Sequence, residues 1–286
     1  MLASVQVDTI AKDVKKAGLG YRYKEELEID ILGLVDDIIA VSEAGHRAQM
    51  INTILNLKSA EKGLQFGVNK CKVMIIGREL ENVINNPIYV DEWTESYFEN
   101  EVTGDIEIKE KYEGKIAIEE VKEQKYLGFV LNSKGNNLAN IQSLEKKSYG
   151  VIRTILTKLN NLKLRQYYFE CSKIFMNVIL RGSILYASEC YYNLTENEIR
   201  RIERIEERYL RKIFQTPKTC PIVQLYLEFG QWPARFEIQK MRCLYLKNIL
   251  SQKEHSQIFM FFKLQKESPI KGDWVSTEGF IRLKNL

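Results

Sequence analysis

The 286 residues are 45% hydrophobic and 28% charged, a composition that excludes a disordered or fibrous chain and supports a core in one large or two smaller domains. No run of eighteen apolar residues occurs, and Met1–Ile10 has neither a basic start nor an apolar block, so neither a transmembrane helix nor a secretory leader is expected. The net charge of +4 is divided unevenly: residues 1–144 hold 17 basic and 24 acidic side chains, residues 145–286 hold 25 and 14. An acidic half beside a basic half suits a protein that holds metal with one part and tracks a phosphate backbone with the other.

Along the chain, the loose periodicity of Leu2, Val5, Ile10 and Val14, stopped by Gly18, predicts a helix over residues 1–17. Short strands follow from Gly18 to Val41. Met50, Ile51, Ile54, Leu55 and Leu57 predict a second helix over 46–62 with these residues on one face. Leu64–Val68 reads as extended and Lys72–Gly77 as a short strand. Residues 79–123 carry 14 acidic residues against 4 lysines and alternate at Ile106-Glu107-Ile108, which predicts an acidic antiparallel β insertion. Tyr126–Leu131 reads as one more strand, and Ser133–Asn137 as a turn.

From Leu138 the chain reads as helical, with an apolar stripe of Leu138, Ile141, Leu144, Ile152, Ile155, Leu156 and Leu159. Thr195-x-x-Glu198 is a capping-box pattern that opens a helix through Ile199, Ile202, Ile205, Tyr209, Leu210 and Ile213. Its other face carries Arg200, Arg201, Arg204, Arg208, Arg211 and Lys212 interleaved with Glu203, Glu206 and Glu207, a solvent face laced with ion pairs whose excess arginine favours phosphate. Pro217 and Pro221 break the pattern before a last helix around Phe236–Leu250. The expected class is α+β, with residues 1–135 forming one domain and the helical residues 136–286 another. Cys71, Cys171, Cys190, Cys220 and Cys243 are scattered and never in C-x-x-C spacing, as in reduced thiols of an intracellular protein, nuclear or cytoplasmic, without a zinc site.

The adjacent carboxylates Asp36-Asp37, between Ile31–Val35 and Ile38–Val41, concentrate the chemistry. Two ionised carboxylates in a buried strand would each lose several kcal/mol of solvation. A hairpin with both at its tip avoids that cost and offers hard oxygen ligands to Mg²⁺.

In order, Gly33–Asp37, Gly63–Met74, Tyr126-Leu127-Gly128-Phe129, Leu185–Glu189 with Thr195–Phe214, and Tyr226–Trp274 resemble successive motifs of the reverse transcriptases of non-LTR (LINE-like) retrotransposons. The resemblance implies the back of a polymerase palm followed by a helical thumb. It implies an enzyme that extends a DNA primer on an RNA template from deoxynucleoside triphosphates, using Mg²⁺ or Mn²⁺. Asp36 and Asp37 would hold metal, Lys70 would meet the incoming triphosphate, and Tyr126, Leu127 and Gly128 would hold the primer end. Arg200, Arg201, Arg204 and Arg208 would face nucleic acid. A further aspartate of the family's metal cage belongs to a strand upstream of Met1, so this chain alone is expected to be inactive. The alternative reading is a nucleic-acid-binding protein without catalysis.

Overall fold

The computed structural model describes residues 2–34, 37–62, 67–76, 87–99, 106–161, 167–191, 193–269 and 275. The chain is mixed α+β and divides into two units, Met1–Leu127 and Gly128–Leu286. Asp36, Gly63–Phe66 and the segment 270–274, which the sequence singled out, lie outside the described residues.

The first unit is built on two helices, α1 (Leu2–Lys16) and α2 (Gly45–Ala60). Ile10 and Val14 of α1 pack on Ile51 and Leu55 of α2, with Ile31 and Leu19 at the margin. Met50 and Leu57, expected on the same face of α2, are exposed. The buried positions 51, 55 and 59 are spaced by four, a narrower stripe than the sequence suggested. Between the helices run β1 (Tyr21–Tyr23), β2 (Leu27–Ile29), β3 (Ile31–Leu34) and β4 (Asp37–Ala40), paired antiparallel as β1–β2 and β3–β4.

Of the strand foreseen at Lys72–Gly77, Lys72–Val73 forms β5 and residues 74–76 are irregular, while Gly77 lies outside the described residues. In the acidic stretch, β6 (Tyr89–Glu99) and β7 (Ile106–Ala117) form a long antiparallel ribbon, and β8 (Glu119–Glu120) pairs parallel with β5. The ribbon is anchored to α2 by backbone capture. Gln49 Oε1 accepts from Tyr89 N–H at 2.7 Å, while Gln49 Nε2 and Asn52 Nδ2 donate to the Tyr89 carbonyl. The unit closes with β9 (Glu123–Tyr126).

The run read as one strand at 126–131 is interrupted, because Leu127 and Gly128 take φ of 45° and 88°. In the second unit β10 (Phe129–Asn132) leads into α3 (Leu138–Asn161). Next come α4 (Tyr168–Phe175), a π-helical segment Met176–Arg181, the short α5 (Gly182–Ile184), α6 (Glu196–Phe214), α7 (Ile222–Phe229), α8 (Ala234–Leu250) and α9 (Gln257–Glu267). Ile141, Ile152, Ile155 and Leu159 of α3 meet Ile202, Ile205, Tyr209 and Ile213 of α6 in the main core, joined by Met176, Leu180 and Phe229. The Thr195 capping box forms in full: Thr195 Oγ1 accepts from Glu198 N–H, and Glu198 Oε2 accepts from Thr195 N–H.

The face of α6 that carries Glu203 and Glu206 departs from the sequence reading. Expected in solvent, the two are 4% and 0% exposed. Cations from other elements meet them. Arg181 Nε donates to Glu206 Oε1 at 2.8 Å, and the Tyr226 hydroxyl donates to Oε2 at 2.9 Å. Arg235 grips both oxygens of Glu203, at 2.6 and 2.8 Å.

Arg181 also donates to Asn177, to Gln231 and to the Trp232 carbonyl. The last two acceptors are in reach because α7 ends in a Schellman turn. Gly230 takes φ of +64°, with bonds from Gly230 N–H to Leu227 O and from Gln231 N–H to Tyr226 O. Burial pushes the Glu206 carboxyl up, against the opposing pull of Arg181 and Tyr226.

Removing one partner of a buried pair leaves an uncompensated charge and costs about 3–5 kcal/mol, whereas replacing both by apolar groups is often neutral. Arg181→Met is therefore expected to lower the unfolding free energy of the full chain, from urea denaturation followed by helical circular dichroism, by that magnitude. The double variant Arg181→Met, Glu206→Gln should recover part of the loss, and a single variant as stable as wild type would contradict the assignment.

Candidate functional site

The hairpin β3–β4 carries the described half of the aspartate pair. Its register runs from Ile31↔Ala40 to Leu34↔Asp37, so Asp37 is the first residue of β4. Its side chain is exposed, which removes the solvation cost that a buried carboxylate would bear. Leu32 and Leu34 of β3 are exposed as well. This run is therefore not the buried strand its composition suggested, because a two-stranded hairpin covers at most one of its faces.

Asp30 lies at the other end of the hairpin. It is buried, and its Oδ1 accepts from Ile31 N–H at 2.8 Å. Among the described residues no three His, Cys, Asp or Glu side chains converge to hold a metal ion. Asp37 is an open carboxylate, suited to sharing a hydrated hard cation with one more oxygen ligand, not to closing a protein cage by itself.

Two residues singled out from distant parts of the sequence lie within electrostatic range of each other here. The Tyr126 phenol is pushed up from its ordinary value, first by partial burial and then by the negative charge of Asp37. Asp37 and Tyr126 are thus electrostatic neighbours. Leu127 and Gly128 make the turn that follows. A Cβ on Gly128 would stand 3.2 Å from the Tyr186 ring, and its φ is left-handed, so conformation and packing both account for glycine there. Lys70 ends the short 3₁₀ turn Val68–Lys70 with its side chain exposed.

In the second unit the arginines of α6 divide into two groups. Arg201 is spent on α3: its Nε and Nη2 donate to the two oxygens of Glu145 at 2.9 and 2.6 Å. Arg200 is exposed, with Glu196 at 3.8 Å, and Arg204 is exposed. Arg208 lies flat on α3, its guanidinium carbon 4.0 Å from the centre of the Tyr149 ring. That arrangement is a cation–π pair.

The hydrogen-bonded Arg201 guanidinium holds the Glu145 carboxyl below its ordinary value against the upward push of partial burial, with Arg208 and Arg204 adding to the pull. Glu145, Tyr149, Arg201, Arg204 and Arg208 therefore form one cluster on the α3–α6 seam. Sequence reading missed Glu145 and Tyr149. The available signal was that each lies one helical step off the apolar stripe, spaced four apart on a helix that must pack against an arginine-rich one.

No family model, no curated protein and no solved structure matches the chain. Among the described residues no helix is long and apolar enough to cross a membrane.

The Glu145–Arg201 pair sets a pH expectation. The carboxyl is held below its ordinary value in the folded chain, so the pair's contribution is present above the ordinary carboxylate range and is lost as pH falls through the depressed folded value. An NMR titration of Glu145 should give a midpoint below that of an ordinary glutamate, and Arg201→Ala should move it upward. An unmoved midpoint would mean that the pair does not hold in solution.

Proposed function

We propose that this chain derives from the polymerase core of a non-LTR retrotransposon reverse transcriptase, with Asp36 and Asp37 as ligands for Mg²⁺ or Mn²⁺ and Tyr126 beside them at the primer end. The observation that carries this reading is the β3–β4 hairpin, which sets an exposed Asp37 at the first position of β4, with Tyr126 within range of its charge. The resemblance assigns these two residues, remote in sequence, to metal and to primer. The antiparallel β3–β4 hairpin, the exposure of Asp37 and the arginine-bearing helical unit support it.

A divalent ion held there would supply the charge that phosphoryl transfer to a primer hydroxyl needs. Tyr126, kept protonated by burial and by Asp37, would offer a neutral hydrogen-bond donor beside that ion and would not compete with it for charge. Lys70 would approach the triphosphate from its exposed turn.

Mn²⁺ binding followed by electron paramagnetic resonance is expected to weaken at least tenfold in the double variant Asp36→Asn, Asp37→Asn. Added Mn²⁺ is also expected to lower the Tyr126 titration midpoint in the wild type. Equal Mn²⁺ binding by the double variant would overturn the metal assignment. With no third carboxylate converging on Asp37 among the described residues, primer extension on an RNA template should stay at background. Extension that Asp36→Ala abolishes would show that expectation to be wrong.

A second reading, nucleic-acid binding without catalysis, is favoured by the exposure of Arg200 and Arg204. It predicts salt-sensitive binding that is indifferent to Asp36→Asn and Asp37→Asn. Arg200→Ala with Arg204→Ala should reduce the salt slope by roughly 1 for each phosphate that is no longer neutralised. An unchanged slope would remove this reading's support.

A further inference from the structure

The ring of Tyr149 poses a question that the fold does not answer. It projects from the middle of α3, between the buried positions Ile141, Leu144 and Ile152, Ile155, yet it is 58% exposed. One of its faces is covered by the Arg208 guanidinium at 4.0 Å. Arg208 Nη1 is buried and has no hydrogen-bond acceptor, so the stack on the ring is the contact that orients this cation. A ring with a cation on one face is already oriented and desolvated on that side. Its other face and its edge meet water.

The residues around it leave that approach open. Gly150 is exposed, and a Cβ placed there would meet nothing within 4 Å. No packing constraint therefore asks for glycine, a residue that weakens a helix interior relative to alanine. The helix surface next in sequence to Tyr149 therefore carries no side chain. Lys146 and Arg153, three residues before and four after Tyr149, are exposed and share its side of α3. Arg204 is exposed across the seam on α6, close enough to help pull down the Glu145 carboxyl. An open aromatic face is thus bordered by cations from two helices.

We propose that the open face of Tyr149 is a stacking site for one base of single-stranded nucleic acid, with Arg204, Lys146 and Arg153 receiving the flanking phosphates. The proposal rests on the nucleic-acid-binding reading and narrows it to a strand form. Aromatic platforms in basic surroundings bind single strands with little sequence preference, since every base has a π face. A paired base is already stacked on its neighbours and cannot reach a ring on a helix surface. A duplex would therefore engage the cations but not Tyr149.

The test is fluorescence anisotropy of the full chain with a labelled oligothymidine and with a labelled duplex of equal length. Tyr149→Ala is expected to weaken single-strand binding by about fivefold to about a hundredfold, the range for removal of one base stack, with duplex binding and the salt slope unchanged. Tyr149→Phe should bind as wild type does. Arg204→Ala should lower the salt slope by about 1 on both ligands.

If Tyr149→Ala binds the single strand like wild type, the stacking site is wrong while the nucleic-acid reading stands. Equal loss on both ligands would mean that Tyr149 only positions Arg208, which also overturns the proposal. No binding of either ligand by wild type would overturn both.

Discussion

The second unit depends on one electrostatic constraint: the fully buried Glu206 must find a cation. A carboxylate with no exposed surface is tolerable only when both oxygens are satisfied and the charge is matched. Arg181 and Tyr226 do this from two other elements. Arg181 must in turn satisfy its remaining N–H groups, and the π-helical segment with the Gly230 turn brings Asn177, Gln231 and the Trp232 carbonyl to it. Several local irregularities thus have a common cause. They converge on one guanidinium.

This constraint also fixes which side of α6 faces out. With Ile202, Glu203, Ile205, Glu206, Tyr209, Leu210 and Ile213 buried, helical periodicity leaves Arg200 and Arg204 to solvent and sends Arg201 and Arg208 to the α3 seam. The pairing has a further effect on charge. Glu145, Glu203 and Glu206 are engaged by arginines within the unit, so several of its acids are neutralised inside or at seams. The cations left over, Arg204, Lys146 and Arg153 among them, are exposed with fewer carboxylates to screen them. Net charge counts could indicate an excess of cations, but not this separation of paired from unpaired ones.

The sequence was most legible where a local pattern has one physical solution. The Thr195–Glu198 capping box, the apolar stripe of α3 from Ile141 onward, though not Leu138, which is exposed, and the helix at the start of the chain need only neighbours within a turn or two. Glu203 and Glu206 were misread because i,i+3 and i,i+4 spacing to arginines looks the same on a solvent face as in a core that imports its cations. Arg181 and Arg235, which decide the matter, lie outside α6. The apolar run at Ile31–Leu34 was misread for the opposite reason: its residues are fit for burial, but a two-stranded hairpin has too little partner surface to bury them all. Tyr149 was illegible for want of its partner, since only the packing of α3 on α6 places Arg208 over its ring.

Asp37 and Glu206 show the same chemical group under opposite conditions. Glu206 is buried and compensated, and removing its charge partner would be felt through the whole core. Asp37 is exposed at the start of a strand, and among the described residues no cation is paired with it. Its one charge-sensitive neighbour, the Tyr126 phenol, is neutral at ordinary pH and gains no ion pair from it. Asp37 stands outside the Ile10–Val14–Ile51–Leu55 core. A charge that the fold neither needs nor compensates is available to a ligand. In this molecule that distinction separates the carboxylates that build the structure from one that the structure leaves open to solvent.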